Sequence, residues 1–332
     1  MTLHWLSAAE PGALDCPHEN ILGGAVLGDL PSQAPDWPVQ HLSTQVLASE
    51  VEGNTLIDAW VLQDDAEVAS GQADGIAYRR CSDILYGHIA LDEAGYEMVD
   101  GKTPLQQASF DAYDRLFRFL EAQGTPNIWK LWIYMADINA ESHGLERYRQ
   151  FNVGRAEAYE QNRRAMADNV PAACVLGYEK GPLTVAFIAS SRPVQPIENP
   201  RQVSAFHYPD QYGPRKPLFA RAAVACSEGR PTLFISGTAS IVGHETVHLG
   251  DPVAQAAECL NNIEALLKEV YRVTGNCFGI GDLAFRVYVR HPEHLPGIRQ
   301  IISERIGSAQ AVYLRADVCR SDLLVEIEGH SV

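Results

Sequence analysis

Nothing in the 332 residues approaches the roughly 20 consecutive apolar residues that span a bilayer. The most apolar stretch, residues 127–136, is interrupted by Lys130. Residues 1–12 lack a basic segment followed by an apolar core, so they do not read as a secretory leader. Seven cysteines stand at 16, 81, 174, 226, 259, 277 and 319 without a CxxC pair. An odd, widely spaced set argues against a disulfide framework and for reduced thiols in a cytoplasmic protein. Cations are scarce as well: 26 Lys+Arg against 42 Asp+Glu leave a net charge of −16. Such a chain is ill suited to neutralising phosphates and is repelled by anionic lipid, which argues against nucleic-acid and membrane partners. An anionic small molecule stays open, because a local arginine cluster overrides the global field.

What is there is ordinary globular composition, 46% hydrophobic and 20% charged, in a length that suits about two domains. Residues 1–55, rich in Gly, Pro, Ser and Asp, read as loops with short strands. Apolar residues at 3–4 spacing predict helices over 105–123, 155–168, 253–273 and 296–306. Apolar or branched runs predict strands over 128–138, 182–190, 232–236, 283–290, 309–314 and 323–328. Five prolines in residues 192–217 mark a long ordered connection. The order suggests an α+β fold, α/β layers in which mixed sheets carry helices on one face. We expect an N-terminal α/β domain over 1–160 and a C-terminal domain over 161–332 holding most of the active site. The boundary lies within a window around 145–180.

Residues 244–248, HETVH, match the zinc-hydrolase pattern HExxH. On a helix it would put His244 and His248 on one face, with Glu245 to polarise water. Gly243 before it, Gly250 and Pro252 after it, and the β-branched Thr246 and Val247 favour an extended segment instead. A zinc-dependent hydrolase is therefore the alternative, and no metal is the expectation. Gly279 and Gly281 follow a helix and precede a strand, the reverse of a dinucleotide loop.

Arg155, Arg215, Arg221 and Arg290 each sit among aromatic or small residues, with Tyr208, Tyr212 and Tyr288 close by in sequence. Guanidinium forks bind carboxylates bidentately, and tyrosine hydroxyls complete such sites. Four together suit a small dicarboxylate; singly, each reads equally as a surface salt bridge. Glu326 is the most pointed residue. In residues 323–328 (LLVEIE) alternation sets Val325 and Ile327 on one face and Leu324, Glu326 and Glu328 on the other. A carboxyl beside leucine in a short apolar strand reads as a buried general acid. It reads equally as an exposed edge carboxylate.

At these residues the sequence resembles the chorismatases, enzymes that remove the enolpyruvyl side chain of chorismate as pyruvate. The resemblance rests on residues 197–200 (IENP), 208–215 (YPDQYGPR), 219–222 (FARA), 234–240 (FISGTAS), 243–251 (GHETVHLGD) and 322–329 (DLLVEIEG), in that order. It is strong over 145–332 and looser before, where Tyr78 to Arg80 and Tyr86-Gly87 carry it. It implies a C-terminal half of the RidA/YjgF-like and chorismate-mutase-like fold. Ala311 stands near the place where RidA proteins carry their binding arginine, which speaks against RidA chemistry; a non-enzymatic RidA-like ligand-binding protein is a further alternative.

The resemblance implies cofactor-free cleavage of chorismate to pyruvate and a hydroxybenzoate, as in pigment and ubiquinone pathways, with Glu326 as the acid. The two carboxylates of chorismate would meet the arginines and tyrosines named above. Gly237 and Cys319 resemble the aromatising branch, in which 3-hydroxybenzoate forms and 4-hydroxybenzoate is a second outlet. Glycine would leave room over the ring, and the thiol would relay a proton. Without the resemblance, Cys319 reads as a small buried hydrophobe. The family implies chorismate as partner and a homotrimer or monomer as assembly.

Overall fold

The computed structural model describes residues 1–8, 18–31, 35–62, 67–165, 169–227, 229–307 and 309–331; Cys16 and residue 168, the expected end of one helix, lie outside them. The first strands are β1 (Thr2–Ser7), β2 (Ile21–Leu27), β3 (Val39–Leu42), β4 (Val46–Ala48) and β5 (Leu56–Val61). A meander follows, β6 (Val68–Ala73), β7 (Ile76–Cys81) and β8 (Ile84–Leu91), then α1 (Pro104–Gln123) and β9 (Asn127–Ala136). The short pair β10 (Glu141–Ser142) and β11 (Leu145–Glu146) leads into α2 (Arg147–Gln161). Next come β12 (Ala172–Tyr178), β13 (Leu183–Ser190), β14 (Gln195–Ile197), β15 (Ala222–Ser227), β16 (Arg230–Ala239), β17 (Ile241–Val242) and β18 (Glu245–Thr246). The last third is α3 (Pro252–Thr274), β19 (Leu283–Val289), α4 (Leu295–Ile306), β20 (Ala311–Arg315), β21 (Asp317–Val318) and β22 (Val325–Ser331).

Two seven-stranded sheets, β21-β12-β9-β13-β8-β7-β6 and β14-β15-β16-β22-β19-β20-β4, form the body. Alternation assigns their faces. Leu131, Ile133 and Met135 of β9 pack on α1 and α2, while Trp132 and Tyr134 point to the space between the sheets. In the second sheet Val325, Ile327, Phe285 and Val287 pack on α3 and α4, and Phe234 and Tyr288 point inward. The result is helices, sheet, shared core, sheet, helices: the expected mixed sheets, each with helices on one face. A third sheet, β1-β5-β2-β3, packs against that shared core through Leu3, Leu22, Leu56 and Trp60.

The two halves exchange strands. β4, from the first fifth of the chain, pairs with β20, and β21, from the end, pairs with β12. β12 and β13 follow residue 160 yet pair with β9 and β8. A division of the chain at 160 would therefore cut through one sheet.

The helix ends follow local chemistry. Thr103 accepts from the Gln106 amide and Asp251 from those of Val253 and Ala254, each followed by proline at the first helical position. The expected helix over 155–168 instead runs Arg147–Gln161. Its buried face includes Gln150, Asn152 and Arg155, so the apolar period that marks a helix is missing from its first half. Gly154 lies against α1 so closely that a Cβ would strike the Gln106 carbonyl. Residues 192–217 hold β14 and two short helical turns, Ala205–His207 and Asp210–Tyr212.

Trp60 joins the three sheets: its ring centroid is 5.7 Å from Trp132, 5.8 Å from Phe234 and 4.9 Å from His330. Trp60→Ala should cost about 3–5 kcal/mol of stability, read as a lower urea midpoint with the slope unchanged. A midpoint within error of wild type would mean that the third sheet is not locked to the other two.

Candidate active site

β22 places Glu326, Glu328 and His330 on its inner face, between β16 and β19. The pairing of β16 with β22 slips by one residue between Ile235 and Thr238, a bulge over Ser236 and Gly237. Ser236 anchors the bulge: its Oγ accepts from the Ala173 amide at 2.9 Å and donates to the Ala220 carbonyl at 2.5 Å. Gly237 then faces the Glu326 carboxyl so closely that a Cβ would overlap Oε1. Any larger residue there would have to displace the acid.

In front of this wall is a cavity of about 250 Å³. Glu326, Gly237 and Cys319 form one side; Tyr208, Tyr212, Phe219 and Arg221 come from the proline-rich connection and its end, and Tyr148 and Arg149 from α2. Of the residues expected at the site, Tyr208, Tyr212, Arg221, Gly237, Cys319 and Glu326 thus meet in one place.

Two carboxyls share the inner face with opposite fates. Glu328, 1% exposed, accepts from Lys130 Nζ at 2.7 Å, Trp132 Nε1 at 3.0 Å, Tyr288 OH at 2.5 Å and Arg286 Nη1 at 3.3 Å. Burial pushes its pKa up, but the charges of Lys130 and Arg286 and the bonds from Lys130 and Tyr288 overcome that and hold it at about 2. Arg286 is itself paired with Asp58. Glu326, 4% exposed, makes no ion pair among the described residues. Burial raises its pKa to about 8, the Glu328 charge adds to the rise, and Lys130, Arg221 and Arg290 oppose it. Glu326 is thus a protonated acid at neutral pH, and Glu328, its neighbour on the same strand face, is not. Burial also pushes the Cys319 thiol up to about 12, so it stays protonated.

The remaining arginines divide. Arg221 donates through Nη2 to the Val203 carbonyl at 2.8 Å and to Tyr208 OH at 2.7 Å, which leaves its buried Nε without a partner. Arg155 is 1% exposed, donates to Asn152 Oδ1 at 2.6 Å, and keeps Nε and Nη1 unpartnered; it does not line the cavity but acts on the Tyr148 hydroxyl, which does. Three expectations are corrected. Arg215 is 43% exposed and pairs with Glu160 at 2.8 Å on the surface, away from the cavity. Tyr288 is fully buried, its hydroxyl committed to Glu328 and Tyr134. Arg290 bonds Asp317 and the carbonyls of Val318, Arg320 and Leu323, so it clamps the loop that carries Cys319.

Arg320 lines the cavity and escaped the sequence reading. Its guanidinium lies 3.9 Å from the Tyr212 ring centroid, donates to the His244 carbonyl at 2.9 Å, and has a buried, unpartnered Nη2. The aromatic neighbours that mark it are more than a hundred residues away in sequence, where no local pattern could reveal them. Arg149, also missed, lines the cavity and bonds Glu146 and the Gln211 carbonyl.

Residues 244–248 form no helix: Glu245–Thr246 is a short strand followed by a turn with His248 at φ 59°. Tyr212 OH is 3.3 Å from His244 Nδ1, whereas His248 Nε2 stands 3.7 Å from Glu258. The two histidines serve different partners, which corrects the zinc alternative. A more open groove of about 600 Å³ lies elsewhere, lined by Asp29, Asp137, Glu179 and Asp317 against Arg290 and Arg315. Its carboxylates outnumber its cations and none is buried, so it suits neither a dianion nor acid catalysis.

Comparison with known proteins bears on this geometry. Residues 58–189 match the family model described as chorismatase FkbO/Hyg5-like, N-terminal. A 3-hydroxybenzoate synthase of Streptomyces hygroscopicus is 41% identical over 284 residues, 82% of this chain and 80% of that one. A chorismatase of Streptomyces rapamycinicus is 36% identical over 300 residues, covering 86% and 85%. A chorismatase crystal structure superimposes with a TM-score of 0.84 at 32% identity, over 100% of this chain and 98% of the other.

The raised Glu326 pKa has a thermodynamic consequence. The folded state keeps a proton that the unfolded chain releases near 4.5, so the stability of burying the neutral acid is full below 4.5 and is lost as pH rises through about 8. The loss is ~1.4 kcal/mol per pH unit across that window. Glu326→Gln is neutral throughout, so its melting temperature relative to wild type should climb between about pH 5 and 8 and level off above. A difference that does not change with pH would mean that Glu326 ionises normally.

Proposed function

The chain belongs to the chorismatase family, and we propose that it splits chorismate into pyruvate and 3-hydroxybenzoate, with 4-hydroxybenzoate as a second outlet. The observation that carries the mechanism is a single buried, protonated carboxyl, Glu326, facing a cavity that the side chains of Arg221 and Arg320 also line.

The guanidinium groups of Arg221 and Arg320 take the two carboxylates of the substrate, and Arg155 behind Tyr148 adds a third positive charge. Guanidinium N–H groups bind carboxylates through strong charge-assisted hydrogen bonds. The bound pose sets the terminal methylene of the enolpyruvyl group against the Glu326 carboxyl. Glu326 gives its proton to that carbon, the methylene becomes a methyl, and positive charge develops on the ether carbon. The ring C–O bond then breaks and pyruvate departs as the 4-hydroxyl oxygen closes on the vacated ring carbon. The proton leaving that hydroxyl returns to Glu326. Opening of the resulting epoxide and transfer of one ring C–H proton to the freed oxygen, relayed by the Cys319 thiol, give the aromatic product. Chorismate contains all the atoms of pyruvate plus hydroxybenzoate, so nothing else is consumed. Gly237 matters because the acid and the ring need the space that a side chain there would fill.

The six described cysteines are thiols, which fits the cytoplasm.

Metal-free protein incubated with chorismate should release pyruvate and 3-hydroxybenzoate, resolved by chromatography. Glu326→Gln should lose ~10²–10⁴-fold in turnover with substrate binding retained. Cys319→Ala should keep pyruvate release and shift the aromatic product ratio. Folded wild type that yields no pyruvate, or activity that appears only with added zinc, would reject the proposal; an unchanged product ratio would remove Cys319 from it.

A further inference from the structure

Glu328 is the most heavily bonded carboxylate of the interior, and the reaction as written does not use it. It receives four donors inside a region of 0–3% exposure, and its chief partner, Lys130, also donates to the Ile235 carbonyl at 2.9 Å. Ile235 is the last regularly paired residue before the bulge that faces Glu326. Lys130 therefore ties three things together: the charge of Glu328, the strand β9 on which Lys130 lies, and the edge of the bulge. As a stability device this is a weak design, since an apolar pair of similar volume holds a core as well as a buried ion pair does. What an apolar pair cannot supply is a fixed negative charge two residues from the acid.

We propose that Glu328, fixed as a carboxylate by Lys130, is a positioning residue that keeps the proton on Glu326 until substrate arrives; this rests on the reading of Glu326 as the acid. Around Glu326 the charged groups are Glu328 on its own strand, Lys130 on β9, Arg221 ahead of β15 and Arg290 after β19. Three cations thus pull the proton off, and Glu328 is the buried anion that opposes them. The neutral groups close by are the thiols of Cys174 on β12, Cys259 on α3 and Cys319, and the Tyr148 hydroxyl on α2. Glu146, Asp322, Arg149 and Arg320 also line the cavity, but solvent reaches all four and screens them. Without Glu328 only burial opposes the cations, the Glu326 pKa falls, and the fraction able to protonate substrate at neutral pH falls with it.

The test reads Glu326 directly. Titrate glutamate side-chain carboxyl ¹³C signals in the substrate-free protein, with the Glu326 signal identified by its loss in Glu326→Gln. Glu328→Gln should lower the Glu326 midpoint by roughly one pH unit or more, and Lys130→Arg, which keeps the charge, should leave it in place. A purely structural role for Glu328 would reduce turnover with the midpoint unmoved, and that result overturns the proposal. Should Glu328→Gln fail to fold, the double variant Lys130→Met, Glu328→Gln removes the pair together; the midpoint should still fall, by less, and a midpoint equal to wild type again overturns it. Chorismate turnover by wild type is scored separately. A midpoint that moves in a protein inert toward chorismate would sink the assigned function and leave the coupling standing.

Discussion

Two carboxyl groups on one strand face, buried together and only one of them ion-paired, are the constraint on which the rest of the site depends. Like charges at this spacing in a dry interior cannot both ionise at low cost. Lys130 and Arg286 settle which one does, because they bond directly to Glu328 and not to Glu326. The other carboxyl keeps its proton as a consequence of fold, without a partner of its own. Acid strength is thus distributed over β9, β19 and β22, and no short segment carries it.

The architecture serves that asymmetry. Two sheets facing one another provide an interior that excludes water yet has polar residues on both walls. The bulge over Ser236 and Gly237 opens one wall at the height of Glu326, and the absence of a side chain at Gly237 leaves the acid room. Arg290, held by four acceptors, fixes the loop that brings Cys319 and Arg320 to the same opening. The third sheet supplies Asp58, which pairs with Arg286 and so balances the charge that Arg286 lends to Glu328. A segment far from the cavity thereby takes part in setting its acid.

Much of this was legible in the sequence where local physics decides. Strict alternation placed Glu326 opposite Val325 and Ile327, and the two faces fall as that pattern requires. Capped, strongly periodic helices such as α3 were found to within a residue or two. The α2 helix was displaced because its buried face carries Gln150, Asn152 and Arg155, which read as surface residues. The same blindness affected the site. Tyr288 and Arg290 sit on an apolar strand near Glu326, but their orientation sends one to Glu328 and the other to a loop. Lys130 looked like a mere interruption of an apolar run and is the main counter-ion of the interior. Arg320 depends on tyrosines brought from the distant proline-rich connection. Pairings between remote segments, including the exchange of β4 and β21 between halves, leave no trace in spacing.

The central claim is that the buried Glu326 carboxyl is the proton donor and is active in its protonated form. The measurement that tests it most directly is kcat/KM for chorismate against pH, which reports the ionisation of the unliganded enzyme. The account predicts a level plateau at neutral pH and a tenfold fall per unit above about 8. A kcat/KM that stays level or rises through about pH 10 would contradict it, because a group acting as the base, or an acid with another pKa, would then control the reaction.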